Sequence, residues 1–456
     1  MGMNALNQVY KTGILAVEEA ALTSLATAGD ATVNVSLKTM STTPFISGDG
    51  RPYTIMDQSW DSTSANAHPN SERFVITSID GTSLTPLTDG IGYTWAGVLH
   101  ISADTTAGWT GGLQHTYTPA KFPTVLCPGV EMAIQSADMN CRFKTITDAP
   151  KIDFDDEASK FATGDEGRDY AIAGARSGEI TFTQKLAWAG SASTMPVWSK
   201  ILRTMGHLPR AYTTTGIEFL PHTYANEITA TIWVIAPENG ASPSTTVYRY
   251  VGCHGGNGSS IGAGKIGDPY MLTAKYNGAY IGTTELTTAQ VRTLTSPETN
   301  VPEILLSNTV TAPARVNGST TSKEIEISQF TLDFGGVVNP FIDQSTTTGY
   351  AFYVTSDRDP RFSCNPYHVR KSLDDVDYVV TNEVAGTVKV QSSATAPHLT
   401  IEVPNGQLLS PSLASREGYI NTNRVYRCMR NNLTGTAVDT AIPDQVMYSL
   451  LIGSRS

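Results

Sequence analysis

Residues 174–206 constrain the fold most strongly, because they combine an alternating segment, a polar break and a short helical pattern. From Glu179 onwards, apolar residues occupy every second position up to Trp188, interrupted only by Gln184. A period of two is that of a strand with one buried face. The segment therefore predicts a half-buried antiparallel strand that is followed by a helix.

The helix is predicted over about 194–205, after the break at 190–193. Thr194 can cap its first turn, and Pro196 stands where a missing N–H costs nothing. Gly206 can adopt the left-handed conformation that ends a helix. One apolar stripe with helical spacing predicts that this helix lies against a sheet; its residues are Val197, Ile201, Leu202 and Met205, with Trp198 beside them.

The composition favours a mainly β fold with many short strands joined by turns. Only 16% of the 456 residues are charged, and threonine, serine and glycine are abundant. A chain of this length can form two or three domains. We expect an N-terminal arm or strand over 1–45 and a β-rich insertion or exposed module over 46–125. A larger β domain over 126–456 can divide into the halves 126–295 and 296–456.

Alternating segments predict strands along the whole chain: Thr12–Glu18, Phe74–Ile79, Gly97–Ser102, Ile228–Ala236, Thr246–Gly252, Pro269–Asn277, Lys323–Phe334, Gly349–Thr355, Thr387–Gln391 and His398–Val403. Within Lys323–Phe334 the apolar face changes parity, which predicts a β-bulge near Ser328 or Gln329. The polar segments Asp374–Tyr378 and Arg416–Tyr419 are predicted to be solvated loops.

Charge and cysteine content exclude several classes of function. The formal net charge of −11 disfavours tight nucleic-acid binding, which depends on neutralising phosphates. Five cysteines include no CxxC pair, so we predict buried reduced thiols and neither a zinc site nor a redox motif. The sequence also predicts no signal peptide and no membrane-spanning segment.

No catalytic, cofactor-binding or metal-binding motif is complete in this sequence. The glycine-rich run Gly255–Lys265 departs from the phosphate-loop spacing and has Ile266 where a serine or threonine is needed. It predicts a flexible turn between Val251 and Pro269. Ser177 resembles a nucleophile elbow only in part, because it leads into a strand. We therefore predict a protein that is not an enzyme and that uses no cofactor.

An acidic cluster is the most concentrated charge in the chain, and a solvated acidic face is the favoured interpretation. It lacks the glycine and the distal glutamate of an EF-hand loop. Two of its carboxylates could serve a glycosidase, but the sequence does not fix their separation. The cluster consists of Asp153, Asp155, Asp156 and Glu157, followed by Asp165, Glu166 and Asp169.

Three motifs occur in an order that resembles one known family. The first is the strand, turn and helix of 174–206, with Pro196-Val-Trp198 and Ile201–Gly206. The second combines Tyr248–Cys253 with Tyr270–Gly278. The third is the set Asp357–Arg361, Asn365-Pro366 and Pro404–Gln407. Together they resemble the tail-tube (major tail) proteins of long-tailed bacteriophages over 126–456, although the turn lacks Gly-Ser-Gly and Met205 replaces a common cysteine.

The resemblance implies a β-sandwich or barrel-like subunit of a virion tail, made in the host cytoplasm. Six copies would close into a ring, and stacked rings would form a channel that conducts DNA during genome delivery. The implied partners are further copies, the tape-measure protein and other tail proteins, with DNA passing unbound and no membrane. Acidic residues that could face the channel are Asp153, Asp155, Asp156, Glu157, Asp165 and Glu166.

Two other functions remain open at this point. A carbohydrate-binding phage or surface β-protein would present clustered aromatic residues, for which Trp60, Trp95 and Trp109 are the candidates. A glycan-cleaving enzyme would use carboxylates of the acidic cluster. Glycan binding or hydrolysis would separate both from a tube subunit.

Overall fold

The structure is a computed structural model in which strands account for most residues, so the predicted mainly β fold is confirmed. None of the described helices is long and apolar enough to cross a lipid bilayer. The described residues are 12–56, 71–87, 91–103, 112–118, 124–134, 141–143, 145–146, 151–158, 171–188, 196, 198–213, 216–221, 228–237, 244–256, 258–263, 268–287, 290, 303–304, 309–343, 348–391, 399–409, 411–416, 418–431 and 446–453.

The first strands in chain order are β1 (Thr12–Val17), β2 (Glu19–Leu22), β3 (Thr32–Thr39), β4 (Pro52–Met56), β5 (Glu72–Pro86), β6 (Tyr93–Ala103) and β7 (Thr124–Leu126). The next elements are β8 (Cys141–Phe143), β9 (Thr145–Ile146), β10 (Lys151–Ala158), β11 (Ala171–Lys185), β12 (Ala187–Trp188), α1 (Ser199–Arg203), β13 (His207–Thr213), β14 (Gly216–Pro221), β15 (Ala230–Pro237), β16 (Ser244–Gly255), β17 (Ser260–Ala263) and β18 (Met271–Thr287). The last are β19 (Glu303–Ile304), β20 (Thr309–Val316), β21 (Ser319–Ile325), β22 (Phe330–Asp333), β23 (Gly336–Ile342), β24 (Tyr350–Arg358), β25 (Arg361–Cys364), α2 (Val376–Thr381), β26 (Ala385–Gln391), β27 (Leu399–Leu408), β28 (Ser412–Arg416), β29 (Tyr419–Met429) and β30 (Ser449–Gly453).

Six strands close into an antiparallel unit, here called the barrel, in the order β2, β3, β6, β5, β4 and β7. β7 pairs with both β2 and β4 and so completes the closure. Alternate residues of β3 point inward, and the inward residues of the barrel pack around Trp95 and Phe74. The boundary predicted at residue 45 falls between β3 and β4 of this barrel.

The other described strands and the two described helices form the body, whose main sheet contains twenty of the described strands. β1 lies between β8 and β15, and β11 and β16 flank the long strand β18. Farther along the chain, β27 pairs with β26, β29 and β30. Side chains from both regions, such as Phe182 and Leu450, meet in one apolar cluster. Because distant strands share this core, the sheet curls around it.

The strand predicted from Glu179 is confirmed as part of β11. Ile180, Phe182 and Leu186 are fully buried, whereas Lys185 is exposed. β11 pairs with β18 along most of its length, and the Phe182 ring stacks on a tyrosine of that strand. A period of two in the sequence therefore placed this strand correctly in the core.

Helix α1 is present but shorter than the predicted 194–205. The N–H of Ser199 donates to the carbonyl oxygen of Pro196, a tight turn three residues long that precedes the helix. Gly206 has a φ of 75° and ends the helical region as predicted. The proposed cap Thr194 lies outside the described residues. The predicted apolar stripe is buried at its described positions, which are Trp198, Ile201, Leu202 and Met205.

The single strand predicted over Lys323–Phe334 is wrong. The chain forms β21, which pairs with β20, and then β22, which pairs with β17 and β25. Between them the side-chain oxygen of buried Asn365 accepts hydrogen bonds from the N–H groups of Ser328 (3.1 Å) and Gln329 (3.0 Å). These bonds satisfy the backbone where the chain changes partner strand, so the apolar parity changes there without a bulge.

The loop predicted at Asp374–Tyr378 is also wrong. Asp374 forms an ion pair with Arg424 (2.5 Å), and both side chains are almost fully buried. Asp375 caps α2 by accepting a hydrogen bond from the N–H of Tyr378 at 3.2 Å. The polar residues therefore hold a buried ion pair and a helix start.

The cysteines whose side chains the structure describes are buried, unpaired thiols, as predicted. Burial raises the pKa of each thiol, so they stay un-ionised at neutral pH. The side chain of Cys141 lies outside the described residues. The buried thiols are those of Cys127, Cys253, Cys364 and Cys428.

Candidate assembly surfaces

A two-stranded sheet of β23 and β24, here called the outer hairpin, presents apolar side chains to solvent. β24 packs on β11, β16 and β18, whereas β23 pairs with β24 and with no other described strand. Val337, Phe341 and Ile342 of β23 are between 46% and 69% exposed. Pro340 lacks an N–H, which an edge strand tolerates. Within the described part of the chain, β23 is therefore an open edge that offers unpaired backbone groups and apolar surface.

Two glycines allow the outer hairpin to lie close to the body and the barrel. Gly252 has a φ of 58° and Gly129 has a φ of 80°. Residues that carry a side chain rarely adopt this left-handed backbone conformation. The carbonyl oxygen of Ala351 lies so close to both glycines that a Cβ atom on either one would collide with it. Strand β24 of the outer hairpin thus packs directly on backbone atoms of both the body and the barrel side.

A second exposed apolar surface is formed by β28 and the start of β29, here called the tip hairpin. Leu413, Tyr419 and Ile420 are between 55% and 69% exposed. Arg416 pairs with Tyr419 across a turn in which Gly418 has a φ of 83°, so the predicted loop is this turn. The ring of Tyr367 meets that of Tyr419 edge to face at 6.1 Å, which supports the tip from one side.

The two hairpins meet strand β25 at opposite ends. The outer hairpin leads into Arg361 through Asp359, whose carboxylate accepts hydrogen bonds from Arg361 (2.9 Å) and Arg427 (3.1 Å). At the other end, Tyr367 follows β25 and bridges to Asn421 beside the tip hairpin. The two hairpins are therefore connected through one short strand, β25, which pairs with β29.

One buried carboxylate joins the barrel to the body. Glu18 is the single residue between β1 and β2, and it is fully buried. Its Oε2 accepts hydrogen bonds from the N–H of Gly129 (2.6 Å) and the hydroxyl of Thr229 (2.6 Å). Its Oε1 accepts them from the N–H of Gly252 (2.8 Å) and the hydroxyl of Thr231 (3.0 Å). Burial raises the pKa of Glu18 to about 7, although the four hydrogen bonds lower it.

Ion pairs tie the barrel side to the body around this carboxylate. The pair formed by Glu19 lies beside Glu18 in the chain. The pair formed by Arg51 crosses a groove of about 430 Å³ between the barrel and the outer hairpin. Because they act at separate places, the two units are held in one orientation. The pairs are Glu19 with Arg203 (2.7 Å), Glu131 with Arg249 (3.1 Å) and Arg51 with Asp343 (3.0 Å).

The predicted channel-facing acidic residues fall partly within the described chain. Four of them lie on β10, which pairs with β11, and the register shifts at Asp155. They are thus on a strand of the main sheet, and their exposure to a channel stays a prediction. The four are Asp153, Asp155, Asp156 and Glu157, whereas Asp165 and Glu166 lie outside the described residues.

The aromatic set proposed for carbohydrate binding is wrong at its described member. Trp95 is 1% exposed, and its ring packs against Phe45 at 5.4 Å inside the barrel. A buried indole cannot stack on a sugar from solvent. Trp60 and Trp109 lie outside the described residues.

The glycine-rich run is also different from its prediction. Instead of a flexible turn over the whole run, residues after Ser259 form β17, with Ile261 fully buried between β18 and β22. Ser177 lies within β11, opposite Ala279. No cluster of three potential metal ligands occurs among the residues that the structure describes.

Two features of this region are not predicted by the sequence patterns. The alternating pattern predicts Glu18 only as the end of a strand, although a charged residue between the apolar segments 13–17 and 20–22 signals a buried polar site. The run 336–342 has no polar alternation, so its pattern does not tell an exposed edge from a buried strand.

The chain was compared with models of known protein families and with curated proteins, and neither comparison finds a match.

Proposed function

We propose that this chain is a structural subunit that assembles with copies of itself into the tail tube of a long-tailed bacteriophage. The observation that carries assembly is the open edge of β23 with its exposed Val337, Phe341 and Ile342. A monomer that stayed single would leave this edge prone to uncontrolled pairing. The choice of family rests on the three ordered motifs of the sequence.

The proposed assembly is a ring of six copies, and stacked rings enclose a channel for DNA. Rings arise when one surface of a subunit contacts a different surface of its neighbour and the rotation closes. Six copies at −11 each would carry −66 formal charges, which repels a phosphate backbone and lets DNA pass without being held. The tape-measure protein and other tail proteins are the further partners of this proposal.

Negative-stain electron microscopy of the purified chain over a concentration series tests the proposal. We expect hollow rings or tubes of uniform bore, accompanied by a rise in light scattering. A compact monomer at every concentration would overturn the proposal. Irregular aggregates without a bore would overturn it as well.

A further inference from the structure

We propose that His207 is an acid-sensitive anchor of the outer hairpin, and that protonation of its imidazole releases the base of this hairpin from the body. The device is complete within one chain, so it goes beyond the proposed function and does not depend on assembly. It makes the position of the outer hairpin respond to pH.

The imidazole of His207 is held by two hydrogen bonds in the core. His207 is the first residue of β13 and is fully buried. Its Nδ1 lies 3.2 Å from the carbonyl oxygen of Leu202 in α1, and its Nε2 lies 2.7 Å from the hydroxyl oxygen of Tyr448. Because a carbonyl oxygen can only accept, Nδ1 carries the hydrogen and Nε2 accepts from the tyrosine. The neutral ring therefore satisfies both partners.

Both ends of the outer hairpin meet this histidine and its tyrosine. Phe334, two residues before β23, packs edge to face on His207 with the ring centroids 4.6 Å apart, and it stacks on Tyr448. Arg358 is the last residue of β24. Its guanidinium lies 3.5 Å from the Tyr448 hydroxyl oxygen and donates to the carbonyl oxygen of Met205 at 3.0 Å. The base of the hairpin is thus tied to α1 and β13 through this cluster.

Protonation of His207 sets two cations against one hydroxyl group. A protonated ring carries a hydrogen on Nε2 as well, which points at the Tyr448 hydroxyl from which Nε2 accepts in the neutral form. The Arg358 guanidinium already faces the same hydroxyl. A second positive charge in this buried site lacks the solvation that water would give it. Movement of Arg358 away from the body, together with the end of β24, removes both conflicts.

The groups that face this cluster give the response its sign. Burial lowers the pKa of His207 well below its usual 6.5, the nearby cations act in the same direction, and the bond to Leu202 opposes them. Burial also raises the pKa of Tyr448, which stays un-ionised. A histidine with a lowered pKa stabilises the closed form above pH 6.5, and this stability is lost as the pH falls. The titratable and charged groups around the pair are Arg358, His254, Asp333 and Cys428.

The window between pH 4.5 and 6.5 separates His207 from the shifted carboxyl groups. The pKa values of Glu18 and Glu131 are raised by burial, so their protonation stabilises the closed form and opposes release by acid. Asp359 lies at the base of the outer hairpin. Its pKa is lowered from 3.8, chiefly by the hydrogen bond from Arg361, so it titrates below this window.

Hydrogen exchange of the unmodified chain in dilute solution tests the device. It is read by mass spectrometry between pH 4.5 and 7.5 and corrected for the intrinsic exchange rate. A released two-stranded hairpin is only marginally stable, so its amides exchange. Peptides covering β23 and β24 should lose protection about tenfold for each pH unit below 6.5, because opening takes up one proton. Peptides covering β27, in the core of the body, should stay more protected at every pH, since the release is local.

Two variants remove the titrating group in different ways. His207→Gln keeps an acceptor for the Tyr448 hydroxyl, and His207→Asn keeps a donor for the Leu202 carbonyl oxygen. In either variant the pH dependence of hairpin protection should disappear. His100→Gln is the matched control and should keep it, because the side chain of His100 is 37% exposed on the barrel. Circular dichroism melting would verify the fold of each variant.

Three results would overturn the proposal. Constant hairpin protection between pH 6.5 and 4.5 in the unmodified chain does so without any variant. An undiminished acid response in a folded His207 variant would assign the proton to another group, such as His254. Equal protection of β27 and the hairpin would mean that acid unfolds the whole chain and releases no hairpin. Each result leaves the proposed function standing, because none of them measures assembly.

Discussion

At the scale of single residues, Glu18 couples the stability of the fold to pH. Each of its oxygens accepts one backbone N–H and one threonine hydroxyl. A protonated carboxyl can keep all four contacts, because its own O–H donates to a threonine oxygen while its lone pairs accept. Complete burial penalises the ionised form more than the hydrogen bonds favour it, so the pKa rises from 4.5 to about 7.

The raised pKa predicts that the free energy of unfolding falls as pH increases. Between pH 4.5 and 7 the folded chain keeps a proton on Glu18 that the unfolded chain has lost. The protonation of Glu18 therefore adds to the free energy of unfolding. This added stability is complete below pH 4.5 and lost above pH 7, and its size is on the order of 3 kcal/mol. Urea unfolding across this range should show it as a difference between the unmodified chain and Glu18→Gln.

The glutamine variant should be less stable at low pH, because its amide nitrogen must face one of the two backbone N–H groups. Its stability should lack the component that falls between pH 4.5 and 7. Glu324→Gln, which changes an exposed glutamate, is the control and should follow the unmodified chain. A constant difference between the unmodified chain and Glu18→Gln over this range would contradict the raised pKa.

At the scale of elements, the transition from β21 to β22 depends on one side chain that is distant in sequence. Removing the Asn365 amide leaves the N–H groups of Ser328 and Gln329 without their acceptor. We expect Asn365→Ala to lower the free energy of unfolding by about 2 kcal/mol. Asn365→Asp keeps the acceptors and should lose less. Both values can be measured by urea denaturation.

An exposed asparagine provides the control for this prediction. Asn339 donates to the hydroxyl of Ser356 at 2.7 Å on the surface of the outer hairpin. Asn339→Ala should change stability by less than about 0.5 kcal/mol. Equal effects of the two alanine substitutions would mean that Asn365 does not determine where the chain changes partner.

The elements also show how far sequence patterns reach. Strands with one buried face, such as β11, were predicted because alternation is a local property. The division of Lys323–Phe334 was missed, since its cause is a side chain 36 and 37 residues away. The exposure of β23 was missed for a related reason. Whether an apolar strand is buried depends on which other elements pack over it. The sequence of the strand itself does not specify those elements.

At the scale of the whole molecule, the barrel and the body are joined by two chain connections, of which one is the single residue Glu18, and by ion pairs at several sites. Glu18 leaves no linker between β1 and β2. The Arg203 guanidinium of α1 binds Glu19 of the barrel while being 4% exposed itself. Contacts of this kind couple the unfolding of two units, because opening either one leaves buried charges without partners.

We therefore expect barrel and body to unfold together. Hydrogen exchange followed by mass spectrometry over a urea series should give the same midpoint for peptides covering β3 and β15. Arg203→Met should lower both midpoints by the same amount. Loss of protection in β3 at lower urea than in β15 would contradict this coupling.

The position of Glu18 also sets an order of events during synthesis. Gly252, which donates to its carboxylate, follows 234 residues later. At ribosomal rates of 5–20 residues per second, that interval is about 12–47 s. All strands of the barrel, which ends at Leu126, are made within the first part of it. Until then the carboxylate faces water and is ionised at neutral pH. Closing the junction therefore draws protons from solution, late in the maturation of each chain.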